Sequence, residues 1–259
     1  MRAGRQRVAV GRIFWIDTDM GSDDAVALIM ALRASDVEVA GISAVAGNVP
    51  VGQAATNARF VAEICDSDAP VYPGADRPMR RAYQDGTWFH GPDGLSGRSG
   101  PPRKPPEKTE AAEALIAASR EYPEMVLVTL GPLTNIAAAL ARDPSFAERV
   151  GRMVVMGGAA CTYGNVTPAA EYNIWVDPDA ARRCFLGGLP LEMVGWEFCQ
   201  GEYALNDEEI RAVRQIGTPL ATCVLECNAT AITAYFRQTH EHALSLPDAV
   251  TIAIALDAS

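Results

Sequence analysis

What most constrains this chain is a rhythm: apolar runs of strand length alternate with amphipathic stretches of helix length along most of the sequence. That alternation is the pattern of parallel βαβ units, whose strands are buried on both faces beneath crossover helices. Strands are predicted at Phe14 to Ile16, Val37 to Val45, Ala69 to Tyr72, Met125 to Leu130, Arg152 to Met156 and Leu191 to Val194. Helices are predicted at Asp24 to Arg33, Gly52 to Ile64, Glu110 to Tyr122, Leu133 to Ala141, Pro178 to Leu186, Asp207 to Ile216, Pro219 to Phe236 and Asp248 to Leu256. The expected fold class is therefore α/β: an open, mostly parallel, Rossmann-like sheet flanked by helices, one domain over residues 1–259. In such sheets ligands sit beyond the carboxyl ends of the strands, so the active site is sought there. Ala75 to Lys108 breaks the rhythm, being rich in Pro and Gly with little periodicity. Loops of that length in compact domains are lids, binding loops or disordered excursions.

Composition narrows the function. Lys and Arg number 22 against 32 Asp and Glu, a net charge of −10. This argues against nucleic acid or an anionic membrane as partner, since both need clustered cations. At 49% hydrophobic and 21% charged, the chain can bury a sizeable core. The six cysteines include no pair two residues apart, and the basic amino terminus MRAGRQRVAVGR lacks the apolar stretch of a secretory signal. No window reaches the 18 or so apolar residues of a membrane span. The expectation is a soluble, reduced, cytoplasmic protein.

The segment after the first strand concentrates the chemistry. Asp17, Asp19, Asp23 and Asp24 fall within IDTDMGSDD. Asp17 and Asp19, two apart, project to the same side of extended backbone. Asp23 and Asp24 enter the first turn of a helix with Ser22 as its predicted N-cap, where negative charge is favoured by roughly 0.3–1 kcal/mol per group. The helix terminus accounts for that pair but not for Asp17 and Asp19. Four carboxylates so close repel one another unless protonated or joined by a cation, and a hard divalent ion with oxygen ligands is the economical answer. An EF-hand is excluded by spacing: counted from Asp17, loop position 5 is Gly21 and position 12 is Leu28.

DTDMGSDDAVALIMAL resembles the signature of the inosine–uridine-preferring nucleoside hydrolases, calcium-dependent ribonucleoside hydrolases in which the metal and the ribose share one aspartate cluster. The later strand ends, AGN with Asn48, LGPLTNIA after Leu130, and GNVTPAAEYN with Asn165, Glu171 and Asn173, resemble the same family in the same order through Asp248. The resemblance implies hydrolysis of the N-glycosidic bond of a small nucleoside in purine or pyrimidine salvage. It implies Ca2+ held by Asp19, Asp24, the Leu130 carbonyl and Asp248. Asp23, Asn48 and Asn173 would bind the ring hydroxyls, Asn165 and Glu171 the 5-hydroxyl, and Asp17 would support the cluster and approach the sugar. Asp19 would be the general base on the attacking water, through an oxocarbenium-like transition state. FHGPDGLSG resembles the family's mobile flap beside the base, making Trp88 and His90 expected base contacts. A homodimer or homotetramer is also implied.

Two departures qualify the match. Well-known members place His before the late aspartate to protonate the leaving base; here Pro247 stands there, with His240 and His242 nearby as substitutes, His242 the candidate base contact. Trp196 and Glu197 replace the expected run after the sixth strand. Two other readings follow: a non-catalytic or weakly active calcium- and riboside-binding paralogue, and a magnesium-dependent phosphatase of haloacid-dehalogenase type. That phosphatase class also places two aspartates two apart after its first strand, but it continues differently after them. Family members also extend past the helix carrying the late aspartate, so the carboxyl end is expected to be truncated.

Overall fold

The computed structural model describes residues 11–257, so the first ten residues of the basic amino-terminal stretch and the last two of the chain lie outside it. Its elements in order are β1 (Arg12–Thr18), α1 (Ser22–Arg33), β2 (Val37–Ala44), α2 (Val51–Ile64), β3 (Val71–Pro73), α3 (Thr87–His90) and α4 (Ala111–Glu121). There follow β4 (Met125–Thr129), α5 (Thr134–Arg142), α6 (Phe146–Arg149), β5 (Val150–Met156), α7 (Tyr172–Val176), α8 (Pro178–Phe185) and β6 (Leu191–Val194). The last are β7 (Leu205–Asn206), α9 (Asp207–Gln215), α10 (Pro219–Cys227), α11 (Ala229–Thr239), β8 (Ala243–Leu244) and α12 (Pro247–Leu256).

Six strands form one parallel sheet in the order β3-β2-β1-β4-β5-β6. The order reverses between β1 and β4, which opens a crevice at their carboxyl ends. Alternation along the strands sorts side chains to two cores. Phe14, Ile16, Val128 and Val154 face α1, α2 and α12, whereas Trp15, Leu127, Met153 and Val155 face α4, α5, α6 and α8. Asp17 continues the second set, so its side chain enters the α5 side of the sheet instead of solvent. Trp15 is fully buried and still satisfied, its indole N–H donating to Ser43 Oγ at 2.9 Å.

Four expectations need correction. The third strand begins at Val71, not Ala69, because the Ala69 carbonyl accepts from Arg59 Nη1 at 2.8 Å in place of the ladder. The helix predicted over 219–236 is two helices, parted at Asn228, whose side chain donates to Ser22 O at 3.0 Å and to Val224 O at 2.9 Å. The N-cap of α1 is Gly21, not Ser22: Asp24 Oδ2 accepts the Gly21 N–H at 2.7 Å, leaving Ser22 in the first turn with its hydroxyl on His90. The loop over 75–108 contains the single turn α3. A small antiparallel pair, β7 with β8, was not foreseen.

Candidate active site

The crevice at the β1/β4 reversal is filled by carboxylates. Asp17 lies in β1 between Ser43 and Thr129 of the neighbouring strands, and past Thr18 the chain turns through Met20 at φ +45° into α1. Strand β1 ends at Thr18, and Asp17 and Asp19, expected on one side, take different partners. Asp17 Oδ2 accepts from Ser43 Oγ and, at 2.8 Å, from Asn135 Nδ2 of α5. Asp19 instead accepts from the Asn48 backbone N–H at 2.7 Å and from Asn48 Nδ2 at 3.1 Å. Two glycines permit that approach: a Cβ on Gly47 would lie 2.0 Å from Asp19 Oδ2, and one on Gly131 would lie 2.9 Å from its Cγ. The AGN and LGP motifs are thus the walls that close on Asp19.

Asp23, Asp24 and Asp248 form the floor, each offering an oxygen within 4.8 Å of the others. Helices α1 and α12 pack side by side and present their first turns together, which brings residues over two hundred positions apart into one group. Burial pushes Asp24 up to about 7 and lifts Asp19 and Asp248 well above the ordinary carboxylate range, with mutual repulsion among the aspartates adding to it. Asp17 is also raised to about 7, by burial. Asp23 Oδ1 and Asp17 Oδ1 are buried without a hydrogen-bond partner; His90 Nδ1 lies 3.7 Å from Asp23 Oδ1, beyond hydrogen-bond reach. Crowded, desolvated, partnerless oxygens fit a divalent cation as the missing partner. This acidic group is the site that can hold a metal ion.

Above the floor lies a cavity whose lining includes the polar Asp23, Asn48, Glu171, Asn173 and Asp248 with Leu130. Trp88, Phe89, Trp196, Gln238, Ser245 and Pro247 line it too. Asn173 Nδ2 donates to the Leu130 carbonyl at 2.9 Å, which leaves that oxygen a second lone pair. Glu171 caps α7, accepting from Asn173 N at 2.8 Å, Ile174 N at 3.2 Å and Gly158 N at 2.8 Å, while burial raises it to about 7. Asn165 Oδ1 takes the Tyr172 N–H at 2.8 Å at the exposed lip. The long loop is pinned over the cavity: Tyr83 OH donates to Gly47 O at 3.0 Å, Asn57 Nδ2 to Asp93 O at 2.7 Å, and Ser96 Oγ to Cys227 O at 2.7 Å. His90 is buried by it and accepts the Ser22 N–H at Nδ1, 3.1 Å away.

The predicted residues are therefore mostly gathered, with exceptions. Asp17, Asp19 and Asp24 are fully buried behind the lining, and Asp19 falls outside the group formed by Asp23, Asp24 and Asp248. His242 does not reach the cavity; it stacks on Phe236 at 4.4 Å between ring centroids, exposed to solvent, and His240 is equally exposed at the end of α11. Trp88 and His90 do line the cavity. Ser43, which holds Asp17, and Gln238 in the lining carried no motif that sequence reading could use, while Asn135 and Tyr172 lay unassigned inside LGPLTNIA and GNVTPAAEYN. The place of Asn135 directly after a strand end was its signal.

No helix among the described residues is long and apolar enough to cross a membrane. The sequence model of the inosine-uridine preferring nucleoside hydrolase family matches residues 14–259. Uridine nucleosidase 1 of Arabidopsis thaliana is 43% identical over 200 residues, covering 75% of this chain and 59% of its own length. The pyrimidine-specific ribonucleoside hydrolase RihA of Klebsiella pneumoniae is 40% identical over 214 residues, 82% of this chain and 68% of its own. The chain thus spans about three fifths to two thirds of the length of these curated relatives. A solved purine-preferring ribonucleoside hydrolase from Gardnerella vaginalis superposes with a TM-score of 0.88 at 29% identity, over 95% of this chain and 80% of that one. With the family model matching from the first buried strand onward, the chain belongs to the inosine-uridine preferring nucleoside hydrolase family.

Proposed function

We propose that this chain hydrolyses the N-glycosidic bond of ribonucleosides, releasing free base and ribose, with Ca2+ as its metal. The observation that carries the reading is the floor of Asp23, Asp24 and Asp248 beneath a cavity with aromatic walls, at the reversal point of a parallel sheet. Breaking the bond builds positive charge on the ribose, and a pocket dense in carboxylates stabilises that charge more than it stabilises the neutral nucleoside. Asp24, Asp248, Asp19 and the Leu130 carbonyl are the proposed ligands of the ion, which when bound orients hydroxyls and acidifies water. Asp19 takes the proton of the attacking water, its carboxylate held for that task by Asn48. Asp23, Asn48 and Asn173 bind the ring hydroxyls, Asn165 and Glu171 hold the 5-hydroxyl, and Asp17 braces the cluster from the α5 side. Residues 75–108 act as the flap on the base side, with Trp88 and His90 as base contacts, within one domain. All six cysteines are free, which supports a reducing compartment, the cytoplasm, and exposed apolar side chains such as Phe185 and Leu186 leave surface for a homodimer or homotetramer.

The relatives' names diverge on the base, one being a uridine nucleosidase and another purine-preferring. The test is release of free ribose from a panel of purine and pyrimidine ribonucleosides, with calcium and with chelator. Turnover that survives complete chelation overturns the metal assignment. A second reading, a riboside-binding paralogue without turnover, is favoured by Pro247 in the lining, a residue with no proton to give. Binding of nucleoside with no ribose released from any member of the panel would select it.

A further inference from the structure

Resting on the hydrolase reading, we infer that Gln238 activates the leaving base: its side-chain amide donates a hydrogen bond to a base carbonyl and holds the negative charge that develops as the C–N bond breaks. The inference comes from accounting for every ionisable group that lines the cavity. Asp23 and Asp248 belong to the floor. Glu171 is occupied by three backbone N–H groups, and the Tyr172 hydroxyl donates to Gln84 O at 2.9 Å. His90 sits against Ser22 and Asp23, and its Nδ1 accepts the Ser22 N–H, so its ring is the neutral form with the proton on Nε2, a hydrogen-bond donor but not an acid. Ser245 gives its hydroxyl proton to Cys199 O. No ionisable group in the lining is thus free to act as an acid toward the base.

Gln238 is different. It lies in the last turn of α11, which packs against α3 and thus beside Trp88 and Phe89. Its side chain lines the cavity at the solvent-exposed end of the helix, and its amide has no hydrogen-bond partner among the described residues. The indoles of Trp88 and Trp196 offer ring faces for stacking, and Gln238 offers an uncommitted donor beside them. A neutral amide cannot give up its proton at ordinary pH, but it can stabilise an anion by hydrogen bonding, as donors of an oxyanion site do. In the step, the anomeric C–N bond breaks and its electron pair stays on the ring nitrogen of the base. Conjugation spreads that pair to the carbonyl oxygen that Gln238 faces. The water oxygen bonds to the anomeric carbon and its proton passes to Asp19. The departing base anion takes its proton from solvent, and Asp19 returns its own to solvent.

The test compares uridine with 4-nitrophenyl β-ribofuranoside, whose leaving group needs no activation, in calcium-loaded wild type and in Gln238→Leu. The expected result is a fall of roughly 10²-fold in kcat on uridine, with KM changed less than about threefold and a loss on the nitrophenyl riboside at least tenfold smaller. Gln238→Glu should acquire a pH dependence that wild type lacks: uridine turnover rising as pH falls, as the carboxyl gains the proton it needs to donate. Equal losses on both substrates, a change confined to KM, or no loss on uridine overturns the inference and leaves the hydrolase reading intact. A wild-type protein that releases ribose from neither substrate overturns both.

Discussion

Two sets of carboxylates in this molecule are treated in opposite ways. Asp93 and Glu63, which fasten the long loop, are saturated with donors. Asp93 accepts the N–H groups of Leu95, Gly97 and Ser99 at 2.7–2.9 Å, and Glu63 accepts those of Arg103 and Lys104 at 2.9 and 3.0 Å. Both are held below the usual carboxylate range by those donors. On the floor of the cavity the same side-chain chemistry is buried and crowded, Asp23 Oδ1 is left without a partner, and the carboxyls of Asp24 and Asp248 are driven upward. A carboxylate with all its lone pairs answered by backbone is holding the fold; one kept short of partners is waiting for something outside the chain. Each of the following experiments presses on that distinction.

The largest expected effect is on turnover. Asp19→Ala should lower kcat for ribonucleoside hydrolysis by about 10³-fold or more, because it removes the proposed general base and one charge of the carboxylate cluster. Ribose release measured beside nucleoside binding separates that from loss of affinity, and full activity in a folded variant would remove Asp19 from the role assigned to it. Next is the response to metal. At a concentration a hundred times Kd, calcium should stabilise the chelator-treated protein by about 2.7 kcal/mol, seen as a rise of several degrees in Tm. Asp248→Ala should abolish that rise; a rise of the same size in the variant would mean the ion sits elsewhere.

Smaller changes are expected in the saturated set. Asp93→Ala strands three N–H groups in a partly buried loop and should cost about 2 kcal/mol of stability, read from denaturant unfolding. Its effect on kcat should stay well short of that of Asp19→Ala, and an equal loss of kcat in a folded variant would erase the distinction between the two sets. The gentlest test is Glu63→Gln. The Glu63 carboxyl is lowered from its ordinary value to about 2 by the Arg103 and Lys104 N–H groups and the Arg103 guanidinium. A depressed acid contributes stability that is present above its unfolded pKa of about 4.5 and lost as pH falls toward 2. Wild type should therefore exceed the variant in Tm at pH 7 and converge with it near pH 2, and a difference that does not change with pH would sink the assignment.

Where the sequence was legible, the reason is physical. Strand alternation in FWI and MVLVT reports the two faces of the sheet directly, and a run such as IDTDMGSDD has few innocent explanations at a strand end. The partners of Asp17 were not legible, because Ser43 and Asn135 reach it through the sheet register and the α5 face, which only the fold brings together. The division of α10 from α11 was hidden for a different reason. PLATCVLECNATAITAYF contains neither Gly nor an internal Pro, and the interruption comes from Asn228 bonding to a carbonyl in α1, a long-range cause with no local mark. His242 shows the converse error: proximity in sequence to Asp248 placed it near the site, whereas the turn between them directs it onto Phe236.

That joint at Asn228 has a consequence for how substrate choice can change. The segment from Ala229 to Thr239, which carries Gln238, begins at the Asn228 joint and packs on α3 and β8, apart from the carboxylate cluster. The parts that grip the sugar come from other segments altogether. A substitution in this piece can re-aim the face shown to the base without disturbing a carboxylate, so preference for one base or another can drift quickly between otherwise similar chains. The matched relatives carry different base names, one a uridine nucleosidase and one purine-preferring, and swapping this segment between such chains would show whether it sets the choice.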